Sequence, residues 1–338
     1  MMYLIFLLAA TITVYSSIKL STYADVLSER TSLGGMLVGT LLLAGATSLP
    51  EVTTSASAVF LNNPDIAVGN VLGSNLFNLL ILATIDLIYR RRQMMTEIHK
   101  DHLFTGFISL GLTGLVLVTI LVPTGITLFN IGIESYLLII FYGISMRYVS
   151  GGNESTHVNS EVAATIPTEE VKKAHHTRAI SLKKAKYGFA GFAFIIFITG
   201  SLLTISGDQI AQSTGISSSF VGSFLIAGAT SLPELVTVLV AIQLLNYNLA
   251  IGNILGSNIF NLLILAFTDL LYREGSILAA ANQVSAITAL AVIVLNTIVL
   301  GAIILWQTKT KPKFSYPVPS ILLILVYFVS SYLIFTLS

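Results

Sequence analysis

The chain has 338 residues, of which 54% are hydrophobic and only 10% are charged, and its mean hydropathy is +0.87. Soluble domains carry about a quarter charged residues, so this composition excludes an ordinary soluble protein. The net charge is +1, and the distribution of basic residues requires no nucleic-acid-binding face, so no nucleic-acid partner is expected. A chain without cysteine has no disulfide and no thiolate metal site.

Ten apolar segments are each long enough to cross a bilayer, which takes about 20 residues at a rise of 1.5 Å per residue. The first segment lacks a preceding basic stretch and a clear small-x-small cleavage site, so it is predicted to be a membrane helix rather than a secretory signal. We therefore predict an all-α membrane protein with ten transmembrane helices. The segments lie at 2–20, 32–61, 64–89, 103–122, 127–149, 187–205, 217–245, 248–272, 278–305 and 317–337.

The basic residues predict the orientation of these helices, because lysine and arginine stay on the cytoplasmic side of a membrane. With the N-terminus outside, every lysine and arginine except Arg273 falls in a cytoplasmic connection. We expect a multi-pass protein of the cell membrane with both termini outside the cell.

A long polar segment, 150–186, joins the two halves of the chain and is predicted to be cytoplasmic. Its stretch TIPTEEVKKA fits a short helix with Thr168 as the N-cap. A regulatory or lipid-sensing element and a solvated linker both fit this composition. We favour the linker, since its lysines are already explained by the orientation rule.

The two halves are copies of one unit. Residues 39–90 match residues 222–273 at an offset of 183 without a gap. Five helices in each half force the second half to enter the membrane upside down, which is a common plan among secondary transporters that bind substrate near the bilayer midplane. We therefore divide the chain into an N-terminal five-helix repeat at 1–149, the linker at 150–186 and a C-terminal five-helix repeat at 187–338.

The sequence GATSLPE occurs once in each half and places a carboxylate beside a helix break. Proline lacks a backbone donor and clashes with the carbonyl one turn earlier, so Pro50 and Pro233 are predicted to break membrane helices and free carbonyl groups. Around the break, Thr47, Ser48 and Glu51 share one helix face. Their equivalents in the second half are Thr230, Ser231 and Glu234.

The following segments carry GNVLGSNLFN and GNILGSNIFN and add further oxygen ligands. Ser74 and Asn78 lie at i and i+4, as do Ser257 and Asn261. A G-x-x-x-G spacing in each segment lets membrane helices approach closely. The neighbouring asparagines are interpreted as packing or capping groups: Asn70, Asn75, Asn253 and Asn258.

All of these groups are oxygen donors, whereas the five histidines fall in loops or at a helix edge. Hard cations such as Ca²⁺ and Na⁺ prefer carboxylate, hydroxyl and carbonyl oxygens. Together, Glu51 and Glu234 would neutralise one Ca²⁺ or two Na⁺. Because ionised carboxylates are costly in a low-dielectric interior, the site is expected to change sides only when it holds a cation or a proton.

Three other acidic residues are interpreted as structural. Asp86 and Asp269 each precede an arginine by four residues, Arg90 and Arg273, which predicts an intrahelical ion pair. Glu134 has no acidic counterpart in the repeat and is predicted to be interfacial.

The paired T-S-L-P-E and G-N-x-x-G-S-N-x-F-N motifs resemble the two alpha-repeats of the sodium/calcium exchanger family, over about 52 residues of each half. The resemblance implies alternating access, in which Na⁺ entry drives Ca²⁺ extrusion while the first and sixth helices slide across the second, third, seventh and eighth. It implies Glu51 and Glu234 as calcium ligands with Thr47 and Thr230. It also implies a set of sodium ligands, with two main-chain carbonyls beside them: Ser48, Ser74, Ser231 and Ser257, and the carbonyls of Ala44 and Ala227.

Two features depart from the family pattern. The glycine that usually precedes the Thr-Ser pair is Ala46 in one half and Ala229 in the other. Asn261 occupies a position that is acidic in several relatives, including potassium-dependent ones, which limits the site to a charge of −2 and argues against potassium cotransport. The proton-coupled branch typically has an acidic residue in G-N-x-x-E, so Na⁺ is the predicted counter-ion.

Other functions stay open at this point. A calcium/proton antiporter would use the same two glutamates as proton carriers, and a cation channel would conduct without a counter-ion. An intramembrane protease is disfavoured because both central acids are glutamates on proline-broken helices, and a scaffold gains nothing from buried carboxylates. We expect a transporter that is not an enzyme, needs no prosthetic group and works as a monomer in the lipid bilayer.

Overall fold

A computed structural model describes residues 1–30, 45–151, 180–306 and 316–337. In these residues seven helices are long and apolar enough to cross a membrane, or eight when the bent pair α7 and α8 counts as one span. A mostly helical membrane fold is thus confirmed, while the complete ten-helix inverted layout stays a prediction. The helices are α1 (Met2–Arg30), α2 (Leu49–Phe60), α3 (Pro64–Ile88), α4 (Asp101–Leu121), α5 (Ile133–Gly151), α6 (Leu182–Thr214), α7 (Ser218–Thr230), α8 (Leu232–Gln243), α9 (Tyr247–Leu271), α10 (Ile277–Ala280), α11 (Val284–Trp306) and α12 (Val318–Leu337).

The two copies of the sequence motif fold in the same way. The helices α2 and α8 begin and end 183 residues apart, and so do α3 and α9. The connection between the helices repeats as well, because Asn62 and Leu245 both have positive φ, at 53° and 57°. The next residues, Asn63 and Asn246, both cap the following helix with their side chains.

Some predicted segments have different bounds in the structure. The segment predicted at 127–149 begins as a hairpin of β1 (Thr127–Leu128) and β2 (Ile131–Gly132), and α5 starts only at Ile133. The turn residues Phe129 and Asn130 both have positive φ, which no helix tolerates, so a helix from residue 127 is wrong. Most of the predicted linker, 152–179, lies outside the described residues together with its proposed capped helix.

The centre of the molecule is formed by α3 and α9, which pack on each other. Burial covers 72% of the apolar window of each, against 28% for α6 and α12. Glycine also permits a close contact between α3 and α7, since a Cβ atom on Gly73 would collide with the backbone of Ser223. This confirms close approach for the first copy of the G-x-x-x-G spacing.

The duplicated aspartates fasten helices together instead of pairing with arginines. Asp86 accepts hydrogen bonds from the hydroxyls of Tyr316 and Ser320, and Asp269 accepts from the Ser135 hydroxyl at 2.7 Å and the Ile277 N–H at 2.6 Å. Both carboxylates are buried. Their hydroxyl donors come from the opposite half of the chain, whereas Ile277 follows Asp269 in the same half. The predicted ion pairs with Arg90 and Arg273 are therefore wrong.

The Tyr316 hydroxyl and the Glu134 carboxylate also take part in buried polar contacts. Burial and the Asp86 carboxylate raise the pKa of the Tyr316 hydroxyl well above its ordinary range, so that it remains a donor. Glu134 is 3% exposed and accepts from the Ser276 hydroxyl. Its side chain is therefore enclosed by protein, and its placement at the membrane interface stays a prediction.

Candidate cation site

A break in each copy of the motif brings polar side chains into the apolar centre. Ser48 has φ −92° and ψ 9°, and Ser231 has φ −88° and ψ 1°, so both leave helical geometry at the same point of the repeat. The axis bends by 43° between α7 and α8. The break predicted at Pro50 and Pro233 is confirmed, but it lies two residues earlier, because proline is accepted in the first turn of a new helix.

The two glutamates lie just after these breaks and are each 1% exposed. The hydroxyls of Thr230, Ser74 and Ser231 lie beside the Glu51 carboxylate, and the Glu234 carboxylate is close enough to interact with it electrostatically. Two ionised carboxylates in such an interior repel each other and are poorly solvated. The arrangement therefore favours a bound cation between them.

Oxygen atoms without partners occur here in equivalent pairs. Among the described residues, buried oxygens of six side chains in the two motifs have no hydrogen-bond partner. They form three pairs with the repeat offset of 183, one hydroxyl pair, one carboxylate pair and one amide pair. Seven other buried side-chain oxygens in the described residues also lack partners, Asn296 Oδ1 among them, but no two of these are related by the repeat offset. Since buried polar atoms usually find partners, the recurrence of the six at equivalent positions in both motifs is what points to a shared ligand. The pairs are Ser48 with Ser231, Glu51 Oε2 with Glu234 Oε2, and Asn78 Oδ1 with Asn261 Oδ1.

Eleven of the twelve predicted site residues lie in the described part of the chain, and all eleven are buried; Ala44 lies outside it. The Ser74 and Thr230 hydroxyls meet across the two halves at 3.4 Å. The Ala227 carbonyl already accepts from the Ser231 N–H and the Thr230 hydroxyl, so its role as an ion ligand stays a prediction. The buried set is Thr47, Ser48, Glu51, Ser74, Asn78, Ala227, Thr230, Ser231, Glu234, Ser257 and Asn261.

The sequence interpretation missed a second layer of asparagines behind these ligands. Asn70 donates to the Thr54 hydroxyl at 2.7 Å and accepts from the Thr230 hydroxyl at 3.3 Å, which ties one half to the other. Asn75 and Asn258 are fully buried and bond across the two halves as well. These bonds agree with the packing role predicted for them, and their duplication at the offset of 183 was the available signal for a contact between the two halves.

The long helix α6 closes over one side of the site. Its Ser201 and Thr204 hydroxyls bond Ser57 and the Thr54 carbonyl of α2, at 2.9 and 3.0 Å. At the end of the same interface, Asn63 donates to Asp208 at 2.8 Å.

The equivalent residues of α1 and α8 behave differently. Ser21, the counterpart of Thr204, bonds the Ser17 carbonyl of its own helix. Thr237, the counterpart of Thr54, is partly exposed, whereas Thr54 is fully buried. The two sides of the site are thus packed unequally.

The donor set decides which ions fit. In the described residues no group of three or more histidine, cysteine, aspartate or glutamate side chains occurs, so the site has two carboxylates surrounded by neutral oxygens. Neutral hydroxyl and amide oxygens with few charges suit hard cations and not zinc or copper.

Comparisons with known proteins find a matching family and a similar membrane protein. A family model described as "Sodium/calcium exchanger protein" matches residues 1–151 and 184–336. The inner membrane protein YrbG of Escherichia coli strain K12 is 25% identical over 304 residues, covering 89% of this chain and 87% of that protein.

Solved structures share the architecture. The crystal structure of the H⁺/Ca²⁺ exchanger CAX matches with a TM-score of 0.65 at 13% identity, covering 98% of this chain and 88% of that one. A structure of the sodium-calcium exchanger NCX_Mj soaked with Na⁺ and Sr²⁺ matches with a TM-score of 0.56 at 21% identity, covering 97% and 98%. At these identities the likeness shows the fold alone.

Proposed function

Because this chain belongs to the sodium/calcium exchanger family, we propose that it is a secondary antiporter that extrudes Ca²⁺ in exchange for Na⁺ at the site between Glu51 and Glu234. The observation that carries the proposal is the set of six buried oxygens without hydrogen-bond partners, three from each half of the chain at equivalent positions. Such a site is a transport site and not a catalytic one.

Charge and ligand type support Ca²⁺ as the extruded ion. Two carboxylates balance one divalent cation, and Ca²⁺ takes six to eight oxygen ligands. Oxygens of Glu51, Glu234, Asn78 and Asn261 without protein partners supply part of that shell, and the nearby hydroxyls add to it.

The neutral oxygens support Na⁺ as the counter-ion. A proton carrier would need only the two carboxylates, whereas Ser48 and Ser231 offer hydroxyl oxygens that a proton does not require. Sodium accepts hydroxyl and carbonyl ligands, so we propose that the same oxygen ligands bind two Na⁺ in place of one Ca²⁺. Coupling to H⁺ through the same glutamates is the alternative.

Unequal packing supports alternating access. Hydrogen bonds connect α6 to the second half of α2 and to Asn63, which follows α2. We assign the side of the site on which Asn63 lies as the closed side. With the N-terminus outside, as the basic residues predict, that side is extracellular. We propose that the opposite state forms when α1 makes the equivalent contacts with α8.

The proposed placement in the cell is the cell membrane, with both termini outside and the linker in the cytoplasm. The chain is proposed to work as a monomer, since both halves of the proposed site come from one chain. Ca²⁺ and Na⁺ are its transported substrates.

The test is Ca²⁺ flux into proteoliposomes under an imposed Na⁺, K⁺ or H⁺ gradient. An outward Na⁺ gradient is expected to drive Ca²⁺ uptake, and a K⁺ gradient is expected to have no effect once the voltage is clamped. Uptake driven by a pH gradient without Na⁺ would establish the proton-coupled alternative. Conduction of Ca²⁺ without any counter-ion would identify a channel.

A further inference from the structure

Four asparagines from the two central helices form a crossed network that includes two of the predicted ligands, and we call them the crossed asparagines: Asn75 and Asn78 of α3, Asn258 and Asn261 of α9. The Asn78 amide donates to Asn258 Oδ1 at 2.9 Å, and the Asn261 amide donates to Asn75 Oδ1 at 3.0 Å. Each bond joins one half of the chain to the other, and the two bonds are related by the repeat.

A second pair of bonds holds the acceptors of this network in place. Asn75 Nδ2 donates to the main-chain oxygen of Asn258 at 3.1 Å, and Asn258 Nδ2 donates to that of Asn75 at 3.4 Å. The side chains of Asn75 and Asn258, which we call the inner pair, therefore use both the NH₂ group and the oxygen of their amides in hydrogen bonds. Neither can turn its amide over without placing a donor opposite a donor and losing two hydrogen bonds.

The other two amides, those of Asn78 and Asn261, use only their NH₂ groups in hydrogen bonds. With their NH₂ groups bound to the inner pair, Asn78 and Asn261 present their Oδ1 atoms on the opposite side, and both atoms are buried without a hydrogen-bond partner in the described residues. A flipped amide would offer a donor to the site, and a donor repels a cation. The fixed orientation thus determines whether these two positions attract or repel an ion.

We propose that Asn75 and Asn258 are positioning residues that hold the carbonyl oxygens of Asn78 and Asn261 toward the transported cation. Because each bond crosses between the halves, the two ligands are oriented by the opposite repeat. The central helices must then keep their register for either ligand to point inward. This inference rests on the proposed function and assigns to the inner asparagines a role in ion affinity.

The test is a double-mutant cycle in the full-length protein. Equilibrium binding of ⁴⁵Ca²⁺ to detergent-purified protein is measured for wild type, Asn258→Ala, Asn78→Ala and the double variant, with Ca²⁺ uptake in proteoliposomes as a second readout. Removal of groups behind metal ligands costs about 10–100-fold in affinity. Asn258→Ala is expected to raise the Ca²⁺ dissociation constant and the apparent KM by about that factor, with maximal uptake reduced less than threefold.

The expected signature is non-additivity. If Asn258 acts through Asn78, the double variant should bind Ca²⁺ within about twofold of the weaker single variant. The cycle of Asn75→Ala with Asn261→Ala repeats the test in the opposite direction. Losses that multiply in both cycles, or unchanged affinity in Asn258→Ala and Asn75→Ala, would overturn the proposal.

A matched control is Asn296→Ala, which truncates a fully buried asparagine that bonds the Gly106 carbonyl between α4 and α11. It is expected to lower thermal stability while leaving Ca²⁺ affinity within about twofold of wild type. If Asn258→Ala and Asn75→Ala both lost the folded state while Asn296→Ala kept it, the inner asparagines would be folding residues and the proposal would fail. Absence of Ca²⁺ binding in wild type would instead refute the proposed function.

Discussion

The hydroxyl oxygens of Ser57 on α2 and Ser201 on α6 lie 2.9 Å apart and are hydrogen-bonded between the two halves of the chain. The pair lies on the side that we assign as closed. Since the chain has no cysteine, a disulfide introduced at these positions has no competing thiol. Cysteines at these two contacting positions are expected to bring their sulfur atoms to the bonding distance of about 2.05 Å on oxidation.

We predict that oxidised Ser57→Cys/Ser201→Cys protein loses Ca²⁺ exchange, because α6 can no longer leave α2. Reduction with dithiothreitol is expected to restore most of the wild-type rate. The measurement is Na⁺-driven ⁴⁵Ca²⁺ uptake before and after reduction, with cross-linking followed by mass spectrometry. Full exchange by completely cross-linked protein would show that this contact does not open during transport.

The mirrored pair, Ile18→Cys/Val240→Cys, provides the matched control, since each position lies 183 residues from its counterpart. In the conformation described here it is expected to cross-link slowly. The rate should increase under conditions that favour the opposite state. Equal cross-linking of both pairs under all conditions would contradict an exchange of contacts between α1 and α6.

The central carboxylates are predicted to be indispensable for transport. Glu51→Gln and Glu234→Gln keep the size of the side chain but leave a single negative charge for a divalent ion. Each is expected to reduce Ca²⁺ exchange by about 100-fold or more, which corresponds to about 2.8 kcal/mol at 1.4 kcal/mol per tenfold. Uptake assays test this, with the exposed Glu97→Gln as the control; unchanged exchange in both site variants would refute the assignment.

The aspartate at the end of α3 is predicted to matter for stability and not for ion binding. Asp86→Ala leaves the buried Tyr316 and Ser320 hydroxyls without their acceptor, which should cost about 2 kcal/mol or more. Arg90→Ala removes an exposed side chain and should change stability by less than about 0.5 kcal/mol. Heating followed by size-exclusion chromatography compares them; equal destabilisation by the two would restore the ion-pair interpretation.

The close packing of Gly73 on α3 against Ser223 on α7 leaves no room for a larger side chain, so we predict that Gly73→Ala lowers stability. Gly73→Ala places a methyl group against the backbone of Ser223, and overpacking of this kind typically costs about 1–3 kcal/mol. Gly111→Ala is the control, because a Cβ built there meets no described atom within 4 Å apart from its chain neighbours and the backbone of its own helix. Thermal stability should fall only for Gly73→Ala, and a similar value for both variants would mean that α7 readily moves away.

The duplicated motif made much of the site predictable from sequence. Hydropathy and the repeat located the central helices, and proline next to glutamate located the break to within two residues. Those signals are local, since they depend on periodicity and on backbone chemistry within one turn.

Contacts between distant segments were not predictable in the same way. Spacing suggested that Asp86 pairs with Arg90, whereas the carboxylate finds Tyr316 and Ser320, more than 200 positions away in the chain. The roles of Asn75 and Asn258 likewise depend on how the two halves cross. Tertiary packing supplies hydrogen-bond donors from distant segments in place of the arginine four residues away. Sequence spacing carries no information about these distant donors.

The most direct test of the central claim is equilibrium ⁴⁵Ca²⁺ binding to the purified protein, titrated with Na⁺ and repeated for the double variant Glu51→Gln/Glu234→Gln. The account predicts that wild type binds Ca²⁺, that Na⁺ displaces it with a slope above one, and that the double variant binds none. Calcium binding that persists in the double variant, or that Na⁺ cannot displace, would contradict a shared sodium and calcium site at these two glutamates.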